Sequence, residues 1–483
     1  MMRLGQKYRH FQHNSGCACH SVGLAQLSDR VSLDLSRRGF IAGMTTSIAA
    51  LGLPGFASAQ TSSPSPKPTL FTNLRLFDGT GTALRGNVQI LVAGNRIAAV
   101  DTGNNPAPPD ANVIDCGGRV LMPGLIDAHW HSMFAALPLN ILLGADAGAI
   151  HLAASAEAER TLLRGFTTVR DLGGPAFAFK QAIDEGIVAG PRIYPCGAMI
   201  TATGGHGDLR PLTELPRLPG GRLSLAESSG GAAIADSPDE VRLRVREQLM
   251  QGASQIKLVA GGGVSSPRAP LDMTTFSEPE LRAGVEAAAD RGTYVAVHAY
   301  APQAIQRSIS AGAQCIEHAH LMDEATAKII ADTGTWLSIQ PFLSDADTGV
   351  LTGPSRVASL QVFAGTDNAY KLAIKHKLKT AFGSDMLFSA AHAARQGIML
   401  SHLDRWYAAP DILKMATSGN AELLNLSGAR NPYPGALGVI AKDAYADLLV
   451  VDGDPTADIA VMADPAKNLR LVMKDGTVHK NTL

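Results

Sequence analysis

Eight short apolar runs, beginning near Leu121, Thr167, Arg192, Gln255, Tyr294, Cys315, Thr335 and Lys379, alternate with stretches of helical periodicity. This alternation constrains the fold more than any other feature. A run such as Val295-Ala296-Val297 is apolar on both faces, as a parallel strand buried between two layers must be. Between the runs, Glu278 to Ala288 has helical spacing behind Ser277, with Glu280 three residues after that cap, the pattern of a capping box that starts a helix. Strand followed by helix, repeated eight times, predicts an α/β chain folded as a (β/α)8 barrel. On pattern alone, a doubly wound sheet competes with it.

Both ends of the chain read differently, as short strands with turns. Leu70 to Leu76 alternates, and Val88 to Val92 is joined through Gly94-Asn95 to Arg96 to Val100, a hairpin signal. Far downstream, Asp447 to Val451 precedes Leu469 to Met473, and Asp475-Gly476 marks a tight turn. Neither piece is long enough for a stable sheet unaided, so the two are expected to pair into a small β-sandwich. The expected layout is sandwich over 69–121, barrel over 122–430 and sandwich again over 431–483. A chain of 483 residues, 46 % hydrophobic and 18 % charged, can fill such cores.

With 42 basic against 43 acidic residues, the charge balance gives no electrostatic case for nucleic acid or an anionic membrane. Residues 1–59 read as a leader. Ser36-Arg37-Arg38-Gly39-Phe40-Ile41 is a twin-arginine pattern, an apolar run extends to Leu53, and Ala57-Ser58-Ala59 offers a cleavage site. That run is too short and too rich in Gly, Ser and Thr to span a bilayer. Export of the folded protein to the periplasm is the expectation, followed by a Ser/Pro-rich linker over 60–68. Cys17, Cys19, Cys116, Cys196 and Cys315 are too scattered for a disulfide framework.

In a parallel barrel all strand C-termini share one mouth, so reactive side chains belong at the ends of the runs. Strand one ends Asp127-Ala128-His129-Trp130-His131, and residues i and i+2 of a strand share a face. Strand four carries Lys257 within an apolar run. Strand five ends in His298, strand six in Glu317-His318-Ala319-His320, and strand eight in Gly383-Ser384-Asp385. Singly, each has a structural reading: a hydrogen-bonded core histidine, a lysine in a buried ion pair, an aspartate capping a helix. Together at one mouth they point to divalent metal, with zinc as the default among the ions that imidazole and carboxylate accept.

Longer stretches then carry a resemblance. They are Met122 to His131, Thr203-Gly204-Gly205-His206-Gly207-Asp208, Ile256 to Pro267, His298-Ala299-Tyr300, Ile316-Glu317-His318-Ala319 and Gly383-Ser384-Asp385. From about Thr69 onward the chain resembles the amidohydrolase superfamily, in the branch of imidazolonepropionase-like proteins, Xaa-Pro dipeptidases and ochratoxin-hydrolysing amidases. The resemblance implies two divalent ions, one on His129, His131 and Asp385 and the other on His298 and His318. Lys257 would bridge both as a carbamate formed with carbon dioxide, whose negative charge the cations stabilise. A hydroxide between the ions would be the nucleophile, its pKa brought from about 15.7 in bulk water toward about 7. Asp385 would accept the proton and pass it to the departing nitrogen. His206 resembles a residue reaching a substrate carbonyl or carboxylate, and Tyr300 one that hydrogen-bonds the oxyanion.

His320 shares a face with His318 and is placed in support of the ligands. His151, His376, His392, His402 and His479 read as surface or packing residues. Gly261-Gly262-Gly263 lacks the Gly-Lys-Ser/Thr ending of a phosphate loop and reads as room for close backbone approach. Leu209 to Asp236 and Trp336 to Asp347 are candidate covers for the mouth. The expected activity is carboxypeptidase-like hydrolysis of an N-acyl amino acid, a dipeptide or an ochratoxin-like amide, releasing an apolar or aromatic amino acid such as phenylalanine. Cyclic-amide or lactone hydrolysis competes with it, as does a non-catalytic, metal-stabilised binding protein. The expected partners are a small amide or peptide substrate and further copies of the chain, since relatives form multimers, octamers among them.

Overall fold

The computed structural model describes residues 67–102, 106–216, 221–266 and 268–483. The twin-arginine pattern, the cleavage signal, Cys17, Cys19 and most of the linker lie outside the described residues. The N-terminal end forms β1 (Thr69–Leu76), β2 (Arg85–Ala93), β3 (Arg96–Thr102) and β4 (Asn112–Pro123). There follow β5 (Leu125–Trp130), β6 (Phe166–Asp171), β7 (Arg192–Pro195), β8 (Met199–Thr201), β9 (Ala232–Ile234) and β10 (Ile256–Val259). The series continues with β11 (Val295–Ala299), β12 (Cys315–His318), β13 (Trp336–Ile339) and β14 (Thr380–Phe382). Every pairing among β5 to β14 is parallel, and helices such as Glu278–Ala289 and Pro302–Ser310 alternate with the strands. This is the (β/α)8 barrel. The capping box at Ser277 is made, its backbone N–H donating to Glu280 at 2.7 Å.

Barrel strand three is split into β7 and β8 around Gly197, whose φ of 77° breaks the extended run, and β9 is an extra short strand beside β8. Two seams are stitched by side-chain amides instead of a regular ladder. At the split, Gln255 Nε2 donates to the carbonyls of Asp171 and Tyr194 at 3.0 and 2.8 Å. At the closing seam no ladder joins β14 to β5 among the described residues. There Asn420 Nδ2 donates to the carbonyls of Ile126 and Phe382 at 2.7 and 2.8 Å, and its Oδ1 accepts from Phe382 N–H at 3.1 Å.

The far end adds β15 (Leu448–Val451), β16 (Leu469–Lys474) and β17 (Thr477–Asn481). These join the N-terminal strands in one seven-stranded sheet, ordered β17-β16-β15-β4-β1-β2-β3. The union of the chain ends is therefore a single continuous sheet whose ends share a core, Ile90 and Ile97 packing in the same cluster as Leu471 and Met473. Alternation explains the unbroken apolar run of β15: Leu448 and Val450 enter that small core, while Leu449 and Val451 enter the barrel core. Arg192 of β7 fastens the two parts through Asp447 and Asp475, at 3.2 and 2.6 Å. Cys116, Cys196 and Cys315 are buried and free. No helix among the described residues is long and apolar enough to cross a membrane.

Asn420→Leu would strand backbone groups at the closing seam. It is expected to lower the unfolding free energy by about 3 kcal/mol, read from denaturant titrations; a loss below about 1 kcal/mol would show that the seam closes without the amide.

Candidate metal centre

The closing seam sets the site. A Cβ on Gly383 would lie 2.4 Å from the Cβ of His129, so only glycine lets the end of strand eight rest on strand one. Asp385 N–H then donates to His129 O at 2.8 Å. Asp127, buried beneath, accepts from the N–H groups of His129 and Ser384 at 3.0 Å each and from Gln396 at 2.8 Å. Burial pushes the Asp127 pKa up against the pull of these bonds. Asp385 and His318 both adopt left-handed backbone, with φ of 50° and 77°, strain of a kind that surrounding structure holds at functional sites.

Asp385 Oδ1 lies 3.3 Å from His129 Nε2 and 3.2 Å from His131 Nε2, yet it is buried without a hydrogen bond. Those separations match the edges of a tetrahedron with arms of about 2.0 Å, the length of a zinc–nitrogen or zinc–oxygen bond. One ligand atom each from His129, His318 and Asp385 lies within 4.8 Å of the others. The donors fit a divalent ion.

Each imidazole is tied through its other nitrogen, which orients the ring as ligating histidines require. His129 Nδ1 meets Glu317 Oε2 at 2.8 Å and His131 Nδ1 meets Gly173 O at 3.2 Å. His298 Nε2 meets Gly262 O at 2.8 Å, and His318 Nδ1 meets Gln340 Oε1 at 2.7 Å. Glu317 is itself gripped by the fully buried Arg170 at 2.7 Å. Burial holds His129, His298 and His318 well below the usual imidazole range, reinforced by Lys257, His206 and His298 respectively. Neutral imidazole is the ligating form. Lys257 is 2 % exposed; burial lowers its pKa, while Glu317 and Asp385 oppose the shift. That favours the neutral amine which carbamate formation needs.

The structure also brings His206 and Tyr300 to this cluster. His206 stacks on His298 at 4.4 Å, with Nδ1 2.8 Å from Ser266 Oγ. The glycine run makes this possible, since a Cβ on Gly263 would meet the His206 ring at 2.4 Å. Burial and then Lys257 pull His206 down to about 4, leaving a neutral ring. Tyr300 lies nearly parallel to His318 at 4.8 Å. Burial and Asp385 push its phenol pKa up, so it remains an O–H donor. His320 is turned to Gln340 O at 2.8 Å and supports the strand-seven end. A cavity of about 380 Å³ covers these groups, and both candidate covers line it, through Leu209 and Ala226 and through Phe342 and Asp347. His392, read from sequence as packing, lines it too. Arg170, Glu317, Gln340 and Asp127 are also part of the site, although no local motif marks them. An arginine inside a short barrel strand, as Arg170 is in β6, is the signal the sequence offers.

The profile of the Amidohydrolase family matches residues 120–478. The chain belongs to the amidohydrolase family. This amidohydrolase is 30 % identical over 437 residues to ochratoxinase of Aspergillus niger, covering 84 % of this chain and 85 % of that one. A solved prolidase complexed with N-methylphosphonate-L-proline matches with TM-score 0.78 and 33 % identity, over 86 % of this chain and 100 % of the other. A Xaa-Pro dipeptidase with methionine in its active site matches with TM-score 0.73 and 27 % identity, over the same shares of 86 % and 100 %. The amidohydrolase is a hydrolase acting on C–N bonds.

Glu317→Gln keeps the shape but removes the charge that orients His129. It is expected to weaken metal binding about 10- to 100-fold, measured by chelator competition with elemental analysis; unchanged affinity would deny Glu317 that role.

Proposed function

We propose that this amidohydrolase cleaves the amide bond of an N-acyl amino acid, a dipeptide or an ochratoxin-like amide, releasing an apolar or aromatic amino acid. The observation that carries the proposal is the buried, unbonded Asp385 Oδ1 facing two imidazole nitrogens. It does so in a cavity that also presents His206 and Tyr300. The names of the relatives, an ochratoxinase and two proline-directed peptidases, support an amide substrate.

His129, His131 and Asp385 would hold one divalent ion and His298 and His318 a second, with Lys257 between them as a carbamate. Bound there, the ions would supply Lewis acidity and make water acidic enough to attack near neutral pH. The chain's own groups do the rest. Asp385 takes the proton from the attacking water and delivers it to the departing nitrogen, so that the amine leaves neutral. Tyr300 donates its O–H to the oxygen that becomes negative. His206, neutral and braced by Ser266, donates to a substrate carbonyl or carboxylate oxygen. The apolar walls keep bulk water from competing for these bonds.

The test is a panel of N-acyl amino acids and dipeptides given to the metal-loaded protein, with amino-acid release read by chromatography. Release that a chelator abolishes and added metal restores is expected; no release across the panel would sink the proposal. Asp385→Asn is expected to lower kcat by about three orders of magnitude with an unchanged circular dichroism spectrum. A fully active variant would remove Asp385 from the proton path.

A further inference from the structure

The cavity above the metal centre has two unlike sides. Toward β8, β10 and β11 it presents His206, Ser266 and Tyr300. Toward β13, β14 and β5 it is walled by Phe342, Phe363, Met386, Phe388, Phe134 and Leu142. The carboxylate on that side, Asp347, is already engaged by Arg395 and His402 at 3.0 Å each. Within the apolar wall one pair is built by the closing seam. Phe134 follows strand one and Phe388 follows strand eight. Phe388 N–H donates to Phe134 O at 2.8 Å, and Ser389 N–H to Ala135 O at 3.1 Å.

Phe388 has a φ of 63°, left-handed backbone that a bulky side chain rarely adopts and that is held mainly at ligand sites and switches. Its ring stacks on Phe134 at 6.5 Å and 28°, and Phe134 stacks on His131 at 6.1 Å and 21°. An aromatic stack thus runs from a metal-facing imidazole into the cavity wall. Both phenyl groups are only half-buried, so each keeps ring surface that a planar group could cover.

Resting on the amide-hydrolase reading above, we infer that Phe134 and Phe388 form the subsite for an aromatic acyl group, making N-aroyl amino acids the favoured substrates. The aryl ring of the acyl group lies against this pair, and the amino-acid end lies toward His206 and Ser266. The scissile carbonyl is thereby carried between the two sides of the cavity, over Asp385 and the histidines. Offset stacking favours a flat ring over an alkyl group of equal size, and burial of the ring adds to the preference.

The experiment compares kcat/KM for N-benzoyl and N-acetyl derivatives of one amino acid, using the full metal-loaded protein. Wild type is expected to favour the benzoyl substrate by about tenfold or more. Phe134→Ala and Phe388→Ala are each expected to cut that ratio about tenfold, while Phe388→Tyr, which keeps the ring, retains it. Metal content and circular dichroism identify folded variants. Should an alanine variant not fold, Phe134→Leu, which keeps apolar bulk without a ring face, supplies the ratio. An unchanged ratio in folded variants, or no benzoyl preference in wild type, overturns the subsite while leaving amide hydrolysis standing. Release of no amino acid from either substrate overturns the amide-hydrolase reading, and the subsite falls with it.

Discussion

The barrel closes where its last strand meets its first, and that seam has no ladder of its own among the described residues. Asn420 supplies the missing hydrogen bonds, and Gly383 permits an approach that any side chain would block. Through the seam Asp385 binds the backbone of His129, and Phe388 binds the backbone of Phe134. The metal-facing carboxylate, its two partner imidazoles and the aromatic wall are therefore positioned by one junction. A shift of strand eight would move all of them at once, which is why the junction is packed with buried hydrogen bonds to Asp127.

Below the mouth lies an arrangement that hydrophobic packing alone would disfavour. Neutral imidazoles, a buried lysine and an unbonded carboxylate oxygen share one enclosed space, and each unsatisfied polar atom costs free energy there. The deficit falls on Asp385 Oδ1, which faces two imidazole nitrogens, while the other ring nitrogens of the histidines meet Glu317, Gly173, Gly262 and Gln340. Divalent cations would answer that deficit. The Arg170–Glu317 pair, fully buried, gives His129 a rigid partner, because a carboxylate so held cannot swing away.

The relatives set the chemistry in a wider frame. Ochratoxinase and the two peptidases match this protein over the bulk of the chain, so the barrel that carries the candidate ligands is a common scaffold. What distinguishes one such enzyme from another lies in loops above the strands, where backbone geometry is least constrained and side chains change most freely. Here those loops give the cavity a polar side at His206, Ser266 and Tyr300 and an aromatic side at Phe134, Phe342 and Phe388.

Local spacing carried the larger features of this protein. Period-two alternation and apolar runs announced the barrel and the paired ends, and the spacing of His129 and His131 on one strand face, with Lys257 inside another strand, pointed to a site, because face and burial depend on neighbours a few residues away. Five of the candidate ligands stood out because they lie at or just past the end of a barrel strand, and Lys257 because it is a charge inside one. Tertiary structure alone decided the rest. The split of strand three, the single continuous sheet, the Arg170–Glu317 grip on His129, the placing of His392 at the cavity and the Phe134–Phe388 stack all join residues far apart in sequence. Arg170 meets Glu317 across 147 positions and Ser384 meets Asp127 across 257. No local pattern encodes such pairs, since their meeting depends on how the whole ring of strands closes.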